Sequence, residues 1–309
     1  MVRIETISDE LITYGVEQRM QDLYIYFLSE SVAVYYRKDH QMIPFNNELS
    51  VETAQKLIAR FKYLGEMDVG EKRKAQLGAI TYPLNQGEQR LRLSTVGDYR
   101  GKESLVVRFL HQIEEQQLGY FYPTDVEVIY ENMKHKMGLY LFSGPTGSGK
   151  TTFMYYLAQQ MKGQVITIED PVEIEAPHFL QLQTNDKIHQ TYDQLIKLSL
   201  RHRPDVLIIG EIRDELTAKA AIRAALTGHK VFATIHAKGV EETKSRIIDL
   251  VGSSTELENC LMGVIYQQLF FTRDAQSKAL LAYEFFMTEC VSEPWEVRYQ
   301  QIKSECEII

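Results

Sequence analysis

Residues Gly144 to Thr152, reading GPTGSGKTT, combine glycines, hydroxyls and one lysine at a spacing that can hold phosphate. Gly144, Gly149, Lys150 and Thr151 satisfy the pattern G-x-x-x-x-G-K-[ST]. Gly144, Gly147 and Gly149 permit positive φ, so the amide N–H groups of the loop, from Thr146 through Ser148 and onward past Pro145, which has none, can turn into one concavity. Lys150 supplies a point charge for β and γ phosphates, the Thr151 hydroxyl a ligand for Mg²⁺, and the helix expected after Gly149, with Thr152 in its first turn, a positive N-terminus. A glycine-rich turn that binds nothing would need neither the apolar strand before it, Leu139 to Phe142, nor the helical pattern after it, Phe153 to Met161.

Three further groups fall where later strands should end. Ile166 to Glu173 (ITIEDPVE) sets Glu169, Asp170 and Glu173 around Pro171, where carboxylates can orient water or hold Mg²⁺; a bare acidic turn reads the same way. Val206 to Glu211 (VLIIGE) is an apolar run closed by Gly210 and Glu211, a Walker B-like ending with Glu in the usual Asp position, or an ordinary strand cap. Thr227 to His236 (TGHKVFATIH) brackets a strand with His229 and His236, which are surface or satisfied core histidines unless a phosphate lies nearby. Arg92 and Arg108 sit in strand-like runs, where an arginine usually lines a solvated face.

These residues need a scaffold. Leu139–Phe142, Gln164–Ile168, Val206–Ile209 and Val231–Ile235 read as strands, and Phe153–Met161, Tyr192–Arg201 and Glu215–Leu226 as helices between them. That alternation predicts an α/β domain, a mostly parallel sheet with helices on both faces, its ligand at the carboxyl ends of the strands. Earlier in the chain, a helical pattern through Leu11, Ile12 and Val16, strands at Ser31–Tyr36, Gln76–Leu84, Arg90–Ser94 and Ser104–Leu110, and a helix at Val51–Leu64 predict a smaller α+β domain. The polar run from Gln112 to Asp125 reads as a linker, giving domains 1–111 and 126–309 on either side of linker 112–125.

Composition narrows the class. A chain of 309 residues that is 44% hydrophobic can build two cores. A net charge of −8 argues against direct nucleic-acid coating. Cys260, Cys290 and Cys306 are too dispersed for a disulfide framework or zinc site, consistent with a reducing cytoplasm. No apolar run reaches the ~18 residues of a membrane span, and the N-terminus lacks a signal-peptide core.

Taken together, the motifs resemble the secretion ATPases that drive type II secretion, type IV pili and competence pseudopili. GPTGSGKTT is similar to that family's Walker A, ITIEDPVE to its aspartate box, LRHRPDVLIIGEIRD to its Walker B region and TGHKVFATIHA to its histidine box, in the family's order. QDLYIYF is similar to its ASDIHIEP segment, and RLRLSTV with SLVVRFL to its arginine-bearing strands. A four-cysteine insertion and an AIRNLIRE-like motif are missing, and a short form without the large extra N-terminal domain is expected. With MDVGEKRKAQLGA and RLSTVGDYRGKESLVVR, the chain looks most like the Gram-positive competence branch.

The resemblance implies a RecA-like P-loop ATPase domain preceded by a PAS-like domain, and a homohexamer using ATP and Mg²⁺. It implies that Lys150 and Thr151 hold phosphate and metal, that Glu211 supports the Mg²⁺ shell through water, and that Glu173 positions the attacking water. His229 and His236 would sense the γ-phosphate, and Arg92 and Arg108 would reach the nucleotide from the first domain. It further implies a cytoplasmic motor peripheral to the inner face of the membrane, acting on a polytopic platform protein and through it on pilin subunits. Two other readings stay open: a RecA-like DNA motor, and a nucleotide-binding scaffold without turnover.

Overall fold

The computed structural model describes residues 3–28, 31–38, 41–45, 49–85, 87–110, 119–185, 188–253, 255–273 and 276–306. The chain divides into two units, one formed by Met1–Gln112 with Glu173–Glu175, the other by Ile113–Val172 and Ala176–Ile309.

In the first unit, helix α1 (Ile4–Glu17) is followed by strands β1 (Asp22–Phe27), β2 (Val32–Lys38) and β3 (Gln41–Pro44), helix α2 (Val51–Leu64), and strands β4 (Gln76–Leu84), β5 (Gly87–Gly97) and β6 (Glu103–Leu110). Ser50 starts α2 because its hydroxyl accepts from the Thr53 amide at 3.1 Å, and Ala54, Leu57, Ile58 and Phe61 then form one apolar stripe. The strands form an antiparallel sheet in the order β3-β2-β1-β6-β5-β4. Alternation turns Leu23, Ile25, Leu91, Leu93, Leu105 and Val107 toward Leu11, Ile12, Leu57 and Phe61 in one core. The same alternation leaves Arg92 and Arg108 on the other face, directly opposite each other across β5 and β6.

The second unit contains β7 (Gly119–Tyr120), α3 (Pro123–Met133), β8 (Gly138–Ser143), α4 (Lys150–Gln160), β9 (Val165–Glu169), β10 (Leu180–Gln183), α5 (Tyr192–Ser199), β11 (Val206–Ile209) and α6 (Glu215–Leu226). It continues with β12 (Lys230–Ile235), α7 (Val240–Val251), α8 (Thr255–Glu258), β13 (Leu261–Phe271), β14 (Ser277–Phe285), β15 (Cys290–Val291) and α9 (Trp295–Ile302). Of the stretch expected as a linker, residues 112–118 lie outside the described residues, while Gly119–Tyr120 pairs with β14 and Pro123 opens α3.

One sheet runs β10-β9-β11-β12-β8-β13-β14-β15, parallel from β10 to β13 and antiparallel beyond. Its central strands are continuous apolar runs because both faces are covered. Leu139, Leu141, Ile166, Leu207 and Val231 pack with Leu195, Ala221, Ile222 and Ile247 of α5, α6 and α7. On the opposite face Phe142 meets Phe153 of α4 edge-on at 6.0 Å and Phe232 at 5.5 Å. The chain leaves β8, passes two strand positions to β9, and returns through β11 and β12, so the β8–α4 turn opens at the carboxyl edge where α/β sheets bind ligands.

Candidate active site

The turn from β8 to α4 is built on backbone that L-residues rarely adopt: Gly144, Gly147 and Gly149 have φ of 144°, 78° and 83°. Gly144 has a second constraint, since a Cβ there would lie 2.0 Å from the Gln267 carbonyl oxygen. Helix α4 then starts at Lys150 with no side chain capping it, so its first amides remain available to an anion. Lys150 Nζ donates to the Gly144 and Pro145 carbonyls at 2.9 and 2.8 Å, and burial lowers its pKa to about 8 against the opposing pull of Glu211. Ser148 Oγ is buried with no hydrogen-bond partner among the described residues. Paired with two half-buried hydroxyls, Thr151 and Thr152, this set suits a polyphosphate and its Mg²⁺.

Glu211, just past β11, is bracketed: Arg213 Nε donates to its Oε2 at 2.6 Å and His236 Nε2 lies 3.2 Å from its Oε1. The Glu211 carboxylate also holds the Arg213 pKa above its ordinary value, first through that hydrogen bond. The Ile212 amide donates to the Thr234 carbonyl at 2.8 Å, and Thr234 Oγ1 donates to the Gly210 carbonyl, so β12 fixes the turn that carries Glu211. His236 therefore reaches the acidic end of the site.

His229 does not. It precedes Lys230, which stands opposite Gly138 at the start of β8, while Ile235 stands opposite Ser143 at the end. Five residues of strand separate those levels, roughly 16 Å. Its Nδ1 lies 3.1 Å from the Ala224 carbonyl and 3.2 Å from Thr227 Oγ1, a local turn closure. The resemblance implies a γ-phosphate-sensing role for both histidines, but parallel β12 puts the two bracketing residues at opposite edges of the sheet, and it is His236 that stands beside Glu211.

Of the carboxylates around Pro171, Glu169 is 3% exposed and its Oε1 accepts from Tyr155 of α4 at 2.5 Å and Thr167 at 2.6 Å. That arrangement ties α4 to β9. Glu173 belongs to the first unit, where its Oε1 lies 3.5 Å from Arg108 Nη1. Arg108 Nε also donates to Asp22 Oδ1 at 2.9 Å, a bond that holds the guanidinium above its ordinary pKa, and Asp22 is its cross-strand neighbour on β1. Arg92 is half-buried beside it.

The profile of the type II/IV secretion system proteins matches residues 2–306. The chain belongs to that family. It is 47% identical over 268 residues to the competence protein ComGA of Streptococcus pneumoniae, covering 86% of this chain and 84% of the relative. It is 35% identical over 275 residues to ComGA of Bacillus subtilis, covering 87% and 77% respectively. Among solved structures, the pilus retraction motor PilT with bound ADP superposes with a TM-score of 0.65 at 26% identity, over 96% of this chain and 88% of that one.

Membership makes this type II/IV secretion system protein an ATPase of RecA-like P-loop fold. Sequence reasoning missed two residues of this secretion ATPase's site. Arg213 follows Glu211 by two positions and would have been legible as an acid's counter-charge. Gln267 carried no such signal, since it reaches the phosphate loop from a strand far along the chain.

Proposed function

We propose that this chain is the ATP-hydrolysing motor that assembles a competence, type IV-like pilus for DNA uptake, working as a cytoplasmic homohexamer at the inner face of the membrane. The observation that carries the chemistry is the β8–α4 turn, with its buried Lys150 facing the acidic end that holds Glu211. Its resemblance to the two competence proteins carries the role.

Gly144 to Thr152 would wrap the phosphates, Lys150 would swing from the loop carbonyls to the β and γ phosphates, and Thr151 with Glu211, through water, would hold Mg²⁺. The metal would neutralise charge on the β and γ oxygens. Glu173 would position the attacking water, and His236 would sense the γ-phosphate through Glu211. Arg92 and Arg108 would supply positive charge from a neighbouring subunit, which in phosphoryl transfer contributes ~10³ to 10⁵ in rate. ATP would favour a closed arrangement and the products an open one, giving a stroke delivered to a polytopic membrane platform protein and through it to pilin subunits.

The test is ATPase activity of the full chain with and without single-stranded DNA, together with native mass. Mg²⁺-dependent turnover indifferent to DNA and lost in Lys150→Ala is expected. Stimulation by single-stranded DNA would favour a DNA motor, and ATP binding without turnover would favour a scaffold.

A further inference from the structure

Gln267 lies on β13 between β8 and β14, 1% exposed, one residue past the pairing of Tyr266 with Ser143 at the carboxyl end of β8. Its side-chain Nε2 donates to the Ser148 carbonyl at 2.6 Å. Its own carbonyl occupies the space where a Cβ at Gly144 would stand. One residue thus lies close against the phosphate loop at its entry and is hydrogen-bonded to it at its last turn before α4. The Ser148 amide donating to the Pro145 carbonyl at 3.2 Å, the Phe153 amide donating to the Gly149 carbonyl at 2.9 Å and the Lys150 contacts shape the same turn.

We infer that Gln267 is a positioning residue for the phosphate loop, setting the direction of the amide that cradles the nucleotide. A trans peptide is planar, so its C=O and the following N–H point in opposite directions. Fixing the Ser148 carbonyl against Gln267 therefore aims the Gly149 N–H the other way, into the concavity that the positive-φ glycines open. Gln267 Oε1 is buried with no partner among the described residues, and an apolar side chain would fill the site without that desolvation cost. A core amide retained at such a cost fits a directional task rather than a packing one. The strand behind it is braced, because the neighbouring Tyr266 meets Trp295 of α9 edge-on at 4.6 Å.

The inference rests on the loop binding nucleotide. The experiment compares the full wild-type chain with Gln267→Met, which keeps the volume, Gln267→Asn, which is too short to reach Ser148, and Lys150→Ala. ADP affinity is measured by calorimetry, ATP turnover by steady-state kinetics, and nucleotide-free stability by thermal melting. The cradle holds phosphates alike in ground and transition states, so the expected result is a parallel rise of ADP Kd and ATP KM of about tenfold with kcat within about twofold. The nucleotide-free melting temperature should stay within about 4 °C. A folded variant with wild-type ADP affinity, or one that loses kcat at constant KM, would overturn the assignment. So would loss of cooperative melting in both variants, which would make Gln267 a residue of the fold. Failure of the wild type to bind ADP, or full retention of binding by Lys150→Ala, is a different pattern: it would remove the nucleotide reading of the loop and this inference with it.

Discussion

Lys150 is held between two influences, burial that pushes its pKa down to about 8 and the Glu211 charge that opposes the push. A lysine lowered this way is charged below pH 8 and neutral above it, and phosphate binds the charged form. ADP affinity should therefore fall by up to tenfold per pH unit above about 8, with proton uptake on binding near that pH, measurable as a buffer-dependent calorimetric enthalpy. Unfolded lysine holds its proton to higher pH, so between about 8 and its ordinary value the unfolded chain binds more protons and this group's contribution to stability rises with pH. Glu173→Gln separates binding from chemistry: an amide of the same shape should leave ADP affinity within about twofold and lower turnover by ~10² or more, since it cannot polarise water. Turnover near the wild-type rate would move the water-positioning role to Glu169 or Glu211. Lys150 and the loop glycines were legible in the sequence because the chemistry admits few substitutes for those residue types. The histidines were not equally legible, because TGHKVFATIH gives a strand between two histidines without saying which end of the sheet each occupies.

At the scale of elements, the strands and helices from Leu139 to Ile235 were readable because a parallel sheet covered on both faces forces apolar runs separated by amphipathic helices. The β13–β14 hairpin and the edge strands β10 and β15 were not read: β14 and β15 extend the sheet antiparallel, outside the alternating pattern, and β10, though parallel to β9, is a four-residue strand without an apolar run. Strand order was also hidden: nothing in the sequence says that β8 lies between β12 and β13, the arrangement that lets Gln267 reach Ser148. The C-terminal helix α9 is joined to this framework by charge. Arg298, 8% exposed, makes a two-pronged pair with Asp125 in the first turn of α3 and donates to the Leu281 carbonyl of β14 at 3.0 Å. Tyr283 donates to the same carboxylate at 3.1 Å. Removing one member of such a pair strands the other charge, so Arg298→Met should destabilise the second unit by about 3 to 5 kcal/mol. In a chemical melt the loss should be smaller in Arg298→Met combined with Asp125→Asn than in Arg298→Met alone; equal losses would show that the guanidinium contributes packing and not charge.

Arg92 and Arg108 stand on the face of the first unit's sheet away from that unit's core, far along the chain from Lys150, which motivates an active site completed by a neighbouring subunit. A nucleotide-stabilised hexamer is the expected native mass with Mg²⁺ and an ATP analogue; a monomer at high concentration would contradict it. Arg92→Ala or Arg108→Ala should reduce turnover by at least ~10³ if either arginine touches the γ-phosphate, and should leave ADP affinity unchanged because ADP lacks that group. The sharper test mixes either arginine variant with Glu173→Gln. Each homohexamer carries a defect at every site and should be inactive. In a mixed ring with the arginine acting in trans, some interfaces pair an intact Glu173 with an intact arginine from the adjoining subunit, and those sites regain turnover. With the arginine acting in cis, every site lacks one group at every mixing ratio. Recovery that follows the calculated fraction of intact interfaces would establish the trans geometry, whereas rings verified as mixed by native mass and still silent would count against it. Wild-type turnover in both single variants would leave the two arginines as solvated residues of a strand face.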